Sequence, residues 1–171
     1  AGSLDIFHQE TFEVTKAADW STGNNATFLV AGTLIGTLTD ETTDPISKDS
    51  SLRYFGGGIG GNANINDWVA SPVIDLDKKQ RGVDVGITLY ARAEQPIGLS
   101  IPFVVYDVTN SAVLTSSLDK IEYTDGSSED RYSFSVFIPD TCTQIRYGLH
   151  DTSGFDNGIT VIDDVELSTN P

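Results

Sequence analysis

Apolar and polar residues alternate with a period of two through most of the second half of the chain. Val83, Val85, Ile87, Leu89 and Ala91 fall on one side of an extended run, and Asp84, Gly86, Thr88, Tyr90 and Arg92 on the other. Tyr132, Phe134, Val136 and Ile138 repeat the pattern. Successive strand side chains point to opposite faces, so this alternation predicts half-buried antiparallel strands. The same reading gives strands over 68–76, 98–108, 112–115, 120–123, 144–150 and 159–167, with Asn110 and Ser111 as a hairpin turn. The first half is looser. Residues 10–14 alternate as a first strand behind an arm at 1–9, whose apolar anchors are Leu4, Ile6 and Phe7. Residues 26–38 are apolar and β-branched, broken by Gly32 and Gly36, and read as a bent strand or hairpin. Residues 51–55 are a further strand between a polar loop at 39–50 and a glycine-asparagine loop at 56–66.

The stretch from Asn66 to Leu76 divides these halves. It opens on a turn at Asn66 and Asp67, runs into a strand, and is broken at Pro72, which cannot donate to a ladder. No segment carries a helical period. The expected fold is therefore all-β: an antiparallel two-sheet β-sandwich of the jelly-roll kind, a single domain over 10–171 behind the arm.

Composition narrows the function classes. At 171 residues the chain is long enough to bury one sizeable core. With 25 acids against 10 bases, its net charge is −15. That charge opposes binding to nucleic acid, where phosphates need a basic footprint, and docking on anionic lipid. Cys142 is alone, so neither an internal disulfide nor a cysteine zinc cluster is available.

The catalytic motifs fail on context. Residues 56–61 match G-x-G-x-x-G in letters, but no helix follows to complete a phosphate site. His8 and His150 are the two histidines, and no G-x-S-x-G nucleophile turn accompanies them. The reading is a protein without catalysis.

Two kinds of binding chemistry remain. By alternation Asp163 shares a face with Val161, Val165 and Leu167, and Glu10 shares one with Phe12 and Val14. An inward carboxylate must be paired, hydrogen-bonded or metal-bound. A Ca²⁺ ion held by Glu10, Asp163 and nearby loop carbonyls is one expectation; Asp163 capping backbone amides of a neighbouring turn is the other. Sugar binding needs exposed aromatic platforms. Tyr54, Tyr90 and Tyr106 are the candidate ligand residues, with Trp68, Tyr123 and Tyr132 behind them. Tyr90 leads, because it lies opposite the apolar face of its strand. Trp68, followed directly by a buried strand, is expected to be a lid on the sandwich core.

Three features occur in order: Glu10-Thr11-Phe12-Glu13 with Trp20 after it, the 66–76 stretch, and Gln144 to His150 followed by Ile162-Asp163-Asp164-Val165-Glu166-Leu167. Together they resemble the cleaved-adhesin or choice-of-anchor-J type of domain, among MAM-like and carbohydrate-binding-module jelly rolls. The resemblance implies a non-catalytic sandwich with a structural calcium, in which Asp163 is the ligating aspartate of the last strand and Glu10 or Glu13 the acidic partner near the start.

Two functional expectations follow. The first is a surface-displayed jelly roll of a phage virion, serving capsid decoration or tail adhesion. It would form a homo-oligomer, cyclic in form, that meets a capsid or tail protein or a cell-surface glycan; a small complete chain starting at Ala1 suits it. The second is a calcium-stabilised carbohydrate-binding module of an extracellular polysaccharide-degrading enzyme or adhesin.

Overall fold

The computed structural model describes residues 5–56, 66–94, 100–122, 128–152 and 158–169. In chain order the strands are β1 (Asp5–Glu10), β2 (Ser21–Asn24), β3 (Thr37–Glu41), β4 (Ser51–Phe55), β5 (Asp67–Ala70), β6 (Ile74–Asp75), β7 (Val83–Glu94), β8 (Ser100–Asp107), β9 (Ala112–Val113), β10 (Lys120–Glu122), β11 (Asp130–Ile138), β12 (Gln144–Asp151) and β13 (Ile159–Thr169). Two short 3₁₀ turns, Ala17–Asp19 and Lys78–Gln80, are the helical elements among the described residues.

Every described pairing is antiparallel, and the strands form two sheets. The first has the order β11-β7-β13-β4-β3, with β1 also on β13; the second has the order β10-β8-β12-β5-β2, with β6 on β12 and β9 on β8. This is the jelly-roll sandwich that the alternation predicts. Its core takes Val85, Ile87, Leu89 and Ala91 from β7 and Phe134, Val136 and Ile138 from β11. Ile101, Phe103 and Val105 of β8 and Ile145, Tyr147 and Leu149 of β12 meet them from the other sheet. Phe103 stacks on Phe134 across the gap, with ring centroids 4.7 Å apart.

Four expectations are corrected. The first strand is β1, inside the stretch read as an arm, and not 10–14. Its Phe7 packs against the core, while Phe12 turns to positive φ (50°) and buries its ring beside Trp20, ending the extended run. Residues 26–36 are a loop and not a strand. Phe28 is drawn over the outside of the second sheet, and Leu29 takes a φ of 69°, outside the extended region. The strand comes after it, as β3, which takes the last two residues of that stretch and the first three of what reads as polar loop.

Trp68 does not lid the sandwich core. It lies in a separate cluster with Phe28, Ala70 and Val104, on the other side of the second sheet. Its ring covers Gly23, where any Cβ would come within 2.5 Å of the indole. Finally, β13 does not keep one alternation. A register shift between Asp163 and Glu166, with Asp164 at φ 50°, inserts a bulge. Ile162, Val165 and Leu167 therefore face the core, while Asp163 pairs opposite the outward Tyr90.

Candidate functional site

The outward face of the first sheet is built by the residues that the core does not take. On β7 these are Asp84, Gly86, Thr88 and Tyr90; on β11 they are Arg131, Ser133, Ser135 and Phe137. Tyr90 lies directly opposite Arg131, and Thr88 opposite Ser133 on one side and Glu166 on the other. Where β13 bulges, the sheet opens a groove of about 300 Å³ lined by Gln9, Thr11, Thr88, Tyr90, Arg131, Asp164, Val165 and Glu166. Tyr90 is 39% exposed and forms its aromatic wall. Gln9 Nε2 donates to Glu166 Oε1 at 3.1 Å, which fixes an amide and a carboxylate side by side. Arg131 is exposed and makes no hydrogen bond or ion pair with any described residue. The groove thus combines one ring face, two threonine hydroxyls, two carboxylates, an amide and a guanidinium. Convergent polar groups around one aromatic suit a ligand with an apolar face and many hydroxyls.

Tyr106 lies on the outward face of the other sheet, half-buried, 5.8 Å from the Phe28 ring. Phe28 also lies 5.8 Å from the Trp68 and His150 rings, and Trp68 Nε1 donates to the Val30 carbonyl at 2.9 Å. The 25–36 loop thereby covers this aromatic floor. Burial there pushes His150 below its ordinary pKa, and its Nε2 lies 2.8 Å from the Asn25 carbonyl.

Tyr54 is not a ligand platform. Leu52 and Tyr54 share the inward parity of β4, and Tyr54 is 2% exposed. Its hydroxyl lies 3.0 Å from Asp67 Oδ2 and 3.1 Å from Asp151 Oδ2. These two buried aspartates face each other across the β5–β12 ladder. Burial between them drives the Tyr54 pKa far above that of a free phenol. Asp67 also accepts from the Ile35 and Gly36 amides, at 2.9 and 2.8 Å, and so anchors the end of the loop over Trp68. The candidate ligand tyrosines are therefore spread over three places: the first sheet's outer face, the second sheet's outer face and the interior. Tyr123 lies outside the described residues.

The three candidate metal ligands are likewise not gathered. Asp163 is fully buried under the 42–50 loop, with Oδ2 accepting from the Ser47 amide at 3.1 Å and the Ser51 hydroxyl at 2.8 Å, and Oδ1 from the Asp164 amide at 2.8 Å. A cation at Asp163 would have to displace donors already aimed at both oxygens. Glu13 Oε1 takes Lys48 Nζ at 2.6 Å, and Glu10 Oε2 takes the Phe12 amide at 3.1 Å. Among the described residues no three His, Cys, Asp or Glu side chains are grouped to hold a metal ion. This donor set fits a carboxylate capping a loop and not a calcium cage.

No protein-family model matches the sequence, and no curated protein does. Solved structures do match the fold. The CBM22-1 xylan-binding domain of Xyn10C from Paenibacillus barcinonensis superposes with a TM-score of 0.61 at 12% identity, covering 99% of this chain and 97% of that one. The K1 cleaved adhesin domain of Lys-gingipain from Porphyromonas gingivalis gives a TM-score of 0.57 at 16% identity, covering 99% and 100%. The enzymatically active domain of bacteriophage CBA120 tailspike protein 4 gives 0.60 at 13% identity, over 93% of this chain and 20% of that one. The likeness is one of fold. It agrees with the jelly-roll fold that the sequence predicts.

Sequence reading found Tyr90 by its parity. It missed Gln9, Arg131, Asp164 and Glu166. Arg131 comes next to Tyr90 only through the β7–β11 pairing, which skips three intervening strands. Asp164 and Glu166 keep the outward parity that alternation gives them; what the bulge adds is Asp163, which it turns out of the core opposite Tyr90.

Proposed function

We propose that this protein is a non-catalytic, surface-displayed carbohydrate-binding domain that holds a neutral glycan in the Tyr90 groove. The observation that carries this reading is the groove: an exposed ring beside a guanidinium, two carboxylates and an amide, on a rigid sheet face. A sugar ring lays its C–H face on the tyrosine, its hydroxyls donate to Asp164 and Glu166, and Arg131 and Gln9 donate to its oxygens. The net charge of −15 disfavours a polyanionic glycan and leaves neutral chains as the ligand class. The fold's likeness to carbohydrate-binding and adhesin domains supports the same role and an extracellular setting.

A virion role draws support from the tailspike domain, of which the chain spans 20%. The module likenesses span the whole domain, so the module reading is preferred.

Isothermal titration with xylohexaose and with matched linear gluco- and manno-oligosaccharides tests the proposal. The expected result is saturable binding to at least one of them, weakened tenfold or more by Tyr90→Ala. A fold-intact protein that binds no neutral oligosaccharide, or binds equally well after Tyr90→Ala, would sink it.

A further inference from the structure

We infer that two copies of this chain pair edge to edge through β11, in an antiparallel register centred on Phe134, so that Phe137 of one copy lies beside Arg131 at the Tyr90 groove of the other. Among the described residues β11 is an edge strand, hydrogen-bonded within its sheet to β7 alone. It runs nine residues in unbroken register with β7, with no proline or bulge. Of the devices by which proteins blunt an exposed edge, it carries charge alone, in Asp130 and Arg131 at its first two positions. The other described edges are shorter: β10 has three residues, β2 four, β3 five and β1 six.

The sequence of β11 is complementary to itself in one register. Antiparallel pairing about Phe134 opposes all nine residues, and no other register does. On the outward face it sets Arg131 opposite Phe137 and Ser133 opposite Ser135, at both ends of a two-fold axis. Arg131 has no hydrogen-bond or ion-pair partner among the described residues, and Phe137 is 58% exposed. A guanidinium over a phenyl ring is a favourable contact, and the chain uses it elsewhere: Arg53 lies 5.3 Å from the Phe55 ring centroid. The serines between the two ends are small enough for strands to approach to the ordinary spacing of about 4.8 Å.

This pairing completes the groove. Across the joint the outward row reads Tyr90, Arg131, then Phe137 and Asp84 of the second copy, so the guanidinium lies between two aromatic side chains. The interface is isologous, as a closed dimer requires, and leaves two grooves on one continuous sheet face. The pairing does not depend on what the groove binds, so its test needs no sugar.

Sedimentation equilibrium from low micromolar to submillimolar concentration provides that test. It is run near 0.15 M salt, where the mutual repulsion of two acidic chains is screened beyond about 8 Å. The expected result is a monomer–dimer equilibrium. Phe137→Arg sets like charges opposite each other at both ends and shifts the protein to monomer. Adding Arg131→Glu to that variant places opposite charges across the joint and restores the dimer. Both positions are exposed, and an unchanged circular-dichroism melt verifies the fold. A chain that stays monomeric at the highest concentration, a dimer indifferent to Phe137→Arg, or a double variant that fails to re-associate would each overturn the inference.

Discussion

The Tyr54 hydroxyl oxygen lies 3.0 Å from Asp67 Oδ2 and 3.1 Å from Asp151 Oδ2 on the neighbouring strand. One phenol separates two buried carboxylates, and it comes from the opposite sheet. Removing the hydroxyl takes that donor from the pair while Asp67 keeps those of Asn24, Ile35 and Gly36; losing a hydrogen bond to a charged group costs about 1.5–3 kcal/mol. Tyr54→Phe is therefore expected to lower the melting temperature by roughly 2–10 °C for a domain of this size. Differential scanning calorimetry checks it; an unchanged melt would mean that the pair is satisfied in another way.

Asp163 carries a pH signature. Burial pushes its pKa up to about 6, against the donors of Ser51, Asp164 and Ser47 that favour the charged form. Because the folded value lies above the unfolded one, the folded state binds the extra proton. This group's contribution is thus fully present below about pH 4 and is lost as pH rises through about 6. Asp163→Asn should flatten the stability profile between those limits. It should also destabilise at neutral pH, since an amide NH₂ would meet the Ser47 or Ser51 donor. Urea melts of both proteins from pH 4 to 8 decide it, and parallel profiles would count against the assignment.

Phe28 ties the 25–36 loop to the second sheet. Its ring is 2% exposed and touches Trp68, Tyr106 and His150. Truncating a buried phenylalanine costs about 3–5 kcal/mol when the site cannot collapse. Because the cluster lies outside the sandwich core, Phe28→Ala is expected to release the loop before the sheets. Limited proteolysis should then cut first within 25–36, where the parent protein resists. Cleavage elsewhere first would contradict that order.

Cys142 should be inert. It is fully buried, and burial, with Asp107 beside it, pushes its thiol up to about 12. The thiolate is the reactive form. A thiol reagent at pH 8 is expected to find no free cysteine in the folded protein and one after denaturation. Rapid labelling of the native chain would show that the 139–144 segment opens readily.

The regular parts of the sandwich were legible because they follow a simple rule. The alternation in β7 and β11 names their core residues, and Pro72 marks the break between β5 and β6. The same rule applied to β4 pairs Tyr54 with Leu52 and would have placed the tyrosine inside. What alternation could not supply are the places where the backbone leaves the rule. Positive φ at Phe12 and Leu29 ends two apparent strands, and at Asp164 it turns the last strand over by one residue. Asp163 then moves from the core face to a loop-covered outer face, while Asp164 and Glu166 stay on the outward side where alternation puts them. These departures are set by tertiary contacts, Phe12 on Trp20 and Phe28 on Trp68, which no local pattern encodes.

The position of β13 has a consequence for how the chain acquires its shape. This one strand bonds to β7, β4 and β1, and so bridges both halves of the first sheet. It is also the last of the described strands in sequence. Until residues 159–169 emerge, β1, β4 and β7 lack their shared neighbour, and the outward face with its groove has no floor. Assembly must wait for long-range closures, which makes folding slow for a domain of this size. During synthesis the earlier strands are held as unpaired edges, an aggregation hazard that ends only when β13 docks.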